Sequence, residues 1–179
     1  MEEVWQTEDV GSKGEWIRRI KQMIEMKNRG EWRERILGKG KLKLYNKLKD
    51  KPGKEHYLTL WRKRVSRMVR LRGGVAALQV ETGRRWKKRR ADRICKECMM
   101  RKVEDEVHLL EECPAWLGER NKARESIRKV SEAVWWKVLS LGKEERAVWM
   151  MKNGGSKEWT GVGQILEKWV RERESKEVG

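Results

Sequence analysis

Apolar residues recur at three- and four-residue steps through most of this 179-residue chain, the period of an amphipathic helix. Trp16, Ile20, Met23 and Ile24 form the first stripe, with Gly30 as its expected stop. Trp32 and Ile36 carry a second segment, broken at Gly38-Lys39-Gly40. Leu44, Tyr45 and Leu48 share one face of a third, which Pro52-Gly53 ends. Over residues 56–72, Leu58, Trp61, Val65, Met68 and Val69 predict the clearest amphipathic helix. Gly73-Gly74 is its expected cap. A short apolar piece at 75–80 then leads to an expected turn at Thr82-Gly83.

Downstream, Pro114 suits the first turn of a new helix. Trp116, Ala123, Ile127, Val130 and Val134 keep helical spacing along it, interrupted by Arg120. Residues 143–152 predict another short helix, and 153–156 a flexible break. In the last helix, Val162, Ile165, Leu166, Trp169 and Val170 sit at i, i+3, i+4, i+7 and i+8, and the charged residues after Arg171 are expected to fray. Three segments follow: an N-terminal helical one over 1–53, a basic and cysteine-bearing one over 54–120, and a C-terminal helical one over 121–179.

Composition changes this picture in one direction. Apolar residues make up 37% of the chain and charged residues 41%, so eleven tryptophans must supply much of any core. The net charge of +17 attracts polyanions, of which nucleic acid is the commonest. No acidic residue occurs between His56 and Val80. Arg62, Lys63, Arg64, Arg67 and Arg70 on that helix are therefore expected to contact phosphates. The densest run is "RRWKKRRADR", residues 84–93, where Arg84, Arg85, Lys87, Lys88, Arg89, Arg90 and Arg93 surround Trp86. Trp86 has two readings: stacking on an unpaired base, or packing beneath the neighbouring finger. No apolar run approaches the roughly 20 residues that span a bilayer, so no membrane role is expected. The first residues lack the basic and apolar regions of a signal peptide, and three cysteines cannot all pair. A nuclear or cytoplasmic rather than secreted protein is expected.

All three cysteines and one of two histidines fall in "CKECMMRKVEDEVHLLEEC", residues 95–113. Cys95 and Cys98 have the C-x2-C spacing that lets one turn present two thiolates to an ion; His108 and Cys113 follow with H-x4-C spacing. Glu104-Asp105-Glu106 reads as the acidic first turn of a helix carrying His108 and ending at Cys113. Unliganded buried thiols and a Cys95–Cys98 redox pair are the alternatives. The clustering favours a closed zinc site, structural rather than catalytic because four protein ligands leave no open position. The expected fold is mostly α: small helical domains around a Cys-Cys-His-Cys zinc-stapled finger.

The order "LRGGVAALQVETGRRWKKRRADRICKEC…VEDEVHLLEECPAW…R" resembles the C-terminal region of non-LTR (LINE-type) retrotransposon reverse transcriptases. The features that carry it are the "ETGR" segment at 81–84, Arg93 before the C-x2-C pair, the "EDE-x-H" segment at 104–108, the Cys113-Pro114 junction and Arg120. The resemblance covers residues 42–120. It implies that Cys95, Cys98, His108 and Cys113 ligate zinc, and that the basic helices contact RNA or DNA beside a polymerase. The chain departs from that pattern at Leu109, where an aromatic residue is usual, and in lacking any aromatic-x-Asp-Asp motif or endonuclease segment. Phosphoryl transfer needs carboxylates holding metal ions, so no enzymatic activity is expected. The expectation is a zinc-dependent, largely sequence-nonspecific RNA- or DNA-binding module, with a reverse transcriptase of the same element as a further partner. The alternative is a structural or protein-interaction remnant.

Overall fold

The computed structural model describes residues 12–53, 65–154 and 160–178, which are helical and turn-rich with no strand among them. The first helix, α1, runs over Lys13–Leu37, its entry held by the Ser12 N–H donating to the Glu15 carboxylate at 2.9 Å. It passes through Gly30, against expectation. A lone glycine inside a helix costs only about 1 kcal/mol, and the Glu31–Arg35 pair one turn later supports the continuation. The helix stops at Gly38, whose N–H returns to the Glu34 carbonyl at 3.0 Å. A short 3-10 turn, Gly40–Leu42, then turns the chain into α2, Lys43–Leu48. Trp32 and Tyr45 meet edge to face at 6.5 Å between ring centroids, which seats α1 on α2.

Helix α3 is described over Val65–Arg72. The rest of the expected 56–72 helix, with Arg62, Lys63 and Arg64, lies outside the described residues. The α3 end is a Schellman motif. Val75 N–H donates to the Arg70 carbonyl at 2.8 Å and Gly74 N–H to Leu71 at 3.2 Å, with Gly74 at φ +63°. Gly74 is required twice over, since a Cβ there would lie 2.5 Å from the Lys41 carbonyl oxygen.

The expected turn at Thr82-Gly83 is instead the middle of α4, Gln79–Arg85. Thr82 folds its hydroxyl back to the Leu78 carbonyl at 3.1 Å, so its polar side chain joins the helix instead of breaking it. Gly83 is there for clearance, because the Arg93 side chain crosses it and a Cβ would meet Arg93 Cγ at 2.7 Å.

After the cysteine segment come α5 (Leu117–Val130), α6 (Glu132–Ser140), α7 (Lys143–Asn153) and α8 (Thr160–Val178). Ser131 separates α5 from α6, its hydroxyl accepting the Val134 N–H at 3.3 Å. The apolar stripe is thereby split, and Val130 is half exposed. Helix α8 lies against both α3 and α5. It buries Val162, Leu166, Trp169 and Val170, and the rings of Trp169 and Trp116 are 6.1 Å apart. One core takes Leu48 from the first segment, Met68 and Leu71 from the second, and Ile127, Met150 and Leu166 from the third.

Two expectations fail at the chain's end. Gly154, read as part of a flexible break, is buried where its backbone touches Gly163 of α8. Two glycines allow that approach because neither has a Cβ. Beyond Arg171 the chain stays helical, and Arg173 is among the most buried side chains of the molecule.

Candidate metal centre

The cysteine segment is a hairpin turn followed by a wide helical turn. Ile94 and Val103 form an antiparallel bridge; Cys95 N–H donates to the Lys102 carbonyl at 2.9 Å and Glu104 N–H to Arg93 at 3.0 Å. Arg101, at φ +54°, lets the chain reverse. The reversal brings Cys95 and Cys98 to one side, where the Glu97 N–H points at Cys95 Sγ at 3.4 Å.

The second ligand pair comes from a π turn, His108–Glu112, closed by Cys113 N–H donating to the His108 carbonyl at 2.7 Å. In an α-helix, residues five apart point about 140° away from each other. The wider π turn returns Cys113 towards the face of His108, which is how an H-x4-C spacing meets one centre. Pro114 then opens a 3-10 turn, Pro114–Trp116, that leads into α5.

The four ligand atoms lie within 4.8 Å of one another and could hold one metal ion. Cys95 Sγ and Cys113 Sγ are 3.8 Å apart, and Cys98 Sγ is 3.4 Å from His108 Nε2. No disulfide joins the cysteines, and 3.8 Å is far beyond a disulfide bond. Cys95, His108 and Cys113 are buried and Cys98 is partly exposed. Burial, with the N–H of Glu97 opposing it and the Glu104 carboxylate adding to it, pushes the Cys95 thiol up to about 12. The Cys113 thiol is raised as well, chiefly by burial. A cation is what makes thiolates favourable in such a place.

The surroundings hold these ligands in position. His108 Nδ1 is buried without a hydrogen-bond partner among the described residues, 3.7 Å from Glu112, a carboxylate that pairs with Lys102 and Lys143. Arg120 is buried and gathers the carbonyls of Leu110 at 3.0 Å and Cys113 at 2.6 Å, fixing the exit of the π turn. Beneath it, buried Glu111 receives Arg124 at 2.9 Å and Arg146 at 2.8 Å.

The acidic run divides its work in a way its spelling does not show. Asp105 accepts the His108 N–H at 3.0 Å and so starts the turn as expected. Glu104 points into the core instead, taking Arg173 and the Gln79 N–H, with Oε1 3.9 Å from Cys95 Sγ. Glu106 is 9% exposed, and burial raises its carboxyl to about 7. Of these structural polar residues, only Arg120 left a signal in the sequence, as the polar break in an apolar stripe.

The basic run reaches the surface beside this centre. Arg84, Arg85, Lys87, Lys88, Arg89 and Arg90 are exposed, and Trp86 is 79% exposed, so its indole does not pack beneath the finger. Arg84 pairs with Glu81 at 2.7 Å, Arg89 with Asp92 at 2.9 Å and Arg90 with Asp105 at 3.1 Å. The last two are exposed pairs, weak and readily exchanged for other anions, whereas Glu81 is buried. Arg93 differs: its guanidinium donates to the Lys88 carbonyl at 2.7 and 3.0 Å and to Val80 at 3.0 Å. It clamps the run to α4 and is spent on that task. Arg67 and Arg70 are half-buried on α3. Comparison with models of known protein families, with curated proteins and with solved structures returned no match.

Proposed function

We propose that this chain is a zinc-braced, non-catalytic module that binds single-stranded RNA or DNA through phosphate contacts and base stacking, akin to the tail of a LINE-type reverse transcriptase. The observation that carries the reading is the exposed run 84–90, with Trp86 79% exposed at its centre, tied by Arg93 to the hairpin that bears Cys95. Lysines and arginines there neutralise phosphates and release counterions, while an indole in solvent offers a face to an unpaired base.

Zinc is the metal the donor set suits. Three thiolates and an imidazole match its softness. Two sulfurs bound tetrahedrally at about 2.3 Å lie about 3.8 Å apart, and a sulfur and a nitrogen about 3.6 Å. The corresponding separations are 3.8 Å for Cys95 and Cys113 and 3.4 Å for Cys98 and His108. Bound zinc would brace the fold and leave no position for a reacting water.

The test is metal analysis of protein prepared reduced with zinc available, followed by anisotropy titration of labelled single strands across a salt series. About one zinc per chain and affinity falling steeply with salt are expected. Absence of zinc removes the metal half of the reading, and salt-independent binding removes the electrostatic half.

A second reading, a protein-interaction role, draws on α1, which leaves Trp16, Ile24 and Met26 45%, 54% and 66% exposed. Charge reversal at Arg67, Arg70, Arg84 and Arg85 separates the two, since it abolishes nucleic-acid binding under the first and leaves partner binding intact under the second.

A further inference from the structure

Between α2, α4 and the acidic turn lies a cleft of about 680 Å³, within the range that accepts a nucleotide-sized ligand. It opens beside the basic run, since Arg84 and Arg90 stand in its wall. Most of its acids are already matched: Glu81 by Arg84, Asp105 by Arg90, Glu144 by Lys47 at 2.7 Å. Glu106 is the exception. This side chain, nine-tenths buried, takes only its own backbone N–H and forms no ion pair with the described residues. Gly74 keeps that wall thin, with its Cβ position 3.6 Å from Glu106 Oε1. Lys39 and Lys41 also line the cleft, without an ion pair among the described residues, and the Lys41 carbonyl abuts the same Gly74 wall.

The ligand this lining asks for carries both an anion, for the lysines, and a pair of adjacent hydrogen-bond donors, for Glu106. A carboxylate accepts two parallel bonds and donates none. Among the nucleobases, guanine alone offers two adjacent donors, N1–H and N2–H, on its Watson–Crick edge. Adenine and cytosine set one donor beside an acceptor, and uracil flanks its one donor with two carbonyls that a carboxylate repels. We propose that the cleft takes a single unstacked guanine nucleotide, Glu106 accepting from N1–H and N2–H and Lys39 and Lys41 facing the phosphate. Within a bound strand this adds one base-selective position to an otherwise sequence-indifferent surface, and to that extent it rests on the nucleic-acid reading above. A base turned out of its stack and read along that edge is an established way to recognise one nucleotide.

The test uses the full zinc-loaded chain and two sets of probes. Guanosine, adenosine, cytidine and uridine monophosphates are titrated separately while the Gly74 and Val107 amides are followed by NMR. GMP is expected to bind about tenfold tighter than the other three. Glu106→Gln, which keeps the shape but supplies only one acceptor, should erase that preference. Lys41→Ala should weaken all four nucleotides alike. In the second set, an oligo(U) strand is compared with the same strand carrying one central guanine. Equal binding of the four monophosphates, binding of none, or a preference that survives Glu106→Gln overturns the guanine site, whatever the strands do. Selective GMP binding with no affinity for either strand leaves the site standing and overturns the strand-binding reading.

Discussion

Arg173, near the end of the last helix, grips both carboxylate oxygens of Glu104 at 2.5 and 2.6 Å, across 69 positions of sequence. Both side chains are buried, at 1% and 0% exposure. Glu104 in turn lies 3.9 Å from Cys95 Sγ, so the C-terminal helix is fastened to the back of the Cys-Cys-His-Cys cluster. Breaking one partner of a buried pair costs about 3–5 kcal/mol, mostly from the charge left alone. Arg173→Met should lose about that much in urea unfolding, and should weaken zinc in a chelator competition because a bare carboxylate then faces the thiol. Adding Glu104→Gln should return part of the loss. If Arg173→Met unfolds like wild type, the pair is not what holds α8 down.

Metal removal should act on the whole molecule, because Cys95 and Cys113 belong to the same buried cluster as Trp116 and Trp169. Chelation should lower the melting temperature and change the tryptophan near-UV circular dichroism. Cys98→Ser, at the partly exposed ligand, should mimic this without carving a cavity in the core. A zinc-loaded protein whose melting is unchanged by chelator would contradict a bracing role.

The basic run separates binding from stability. Lys87, Lys88 and Trp86 are exposed and should be removable at little cost, within about 0.5 kcal/mol. Replacing both lysines by alanine should weaken single-strand binding and shallow its log–log salt slope by about 0.7 per lost phosphate contact. Trp86→Ala should weaken binding with the slope unchanged. Arg93→Ala should instead lower the melting temperature, since it frees the Val80 and Lys88 carbonyls.

Glu106 should make stability depend on pH. Burial raises its carboxyl from 4.5 to about 7, so the folded state holds a proton that the unfolded chain gives up at lower pH. Its contribution is present below about 4.5 and lost as pH rises through about 7. Glu106→Gln should therefore gain on wild type with rising pH, by on the order of 3 kcal/mol at pH 8. Comparing the two proteins at each pH cancels the separate effect of acid on metal binding. A difference that stays flat from pH 5 to 8 contradicts the assignment.

Gly74→Ala should cost at least about 1–2 kcal/mol, from the left-handed backbone alone. The clash with the Lys41 carbonyl, 2.5 Å from the new Cβ, adds to that and should disturb the cleft wall. Gly30→Ala, in open space on α1, should be neutral or stabilising. Thermal melts of the two variants, run side by side, decide between them.

Much of this was legible because it is local. Helical period placed α5, α7 and α8, the Gly73-Gly74 stop followed from glycine's access to positive φ, and two short spacings marked the four residues that meet at the centre. These follow from rules that act over four or five residues. The Thr82-Gly83 turn, the flexible break at Gly154 and the frayed end after Arg171 differ from the structure for the opposite reason. Gly83 answers to Arg93, Gly154 to Gly163 and Arg173 to Glu104, each a contact made only after the chain has folded back. In a charge-rich sequence every arginine looks like a surface residue. By itself the sequence determined a mostly helical chain and a Cys-Cys-His-Cys cluster. Tertiary structure decided which charges are buried as pairs and which face solvent, because desolvation depends on what surrounds a side chain and not on its place in the order.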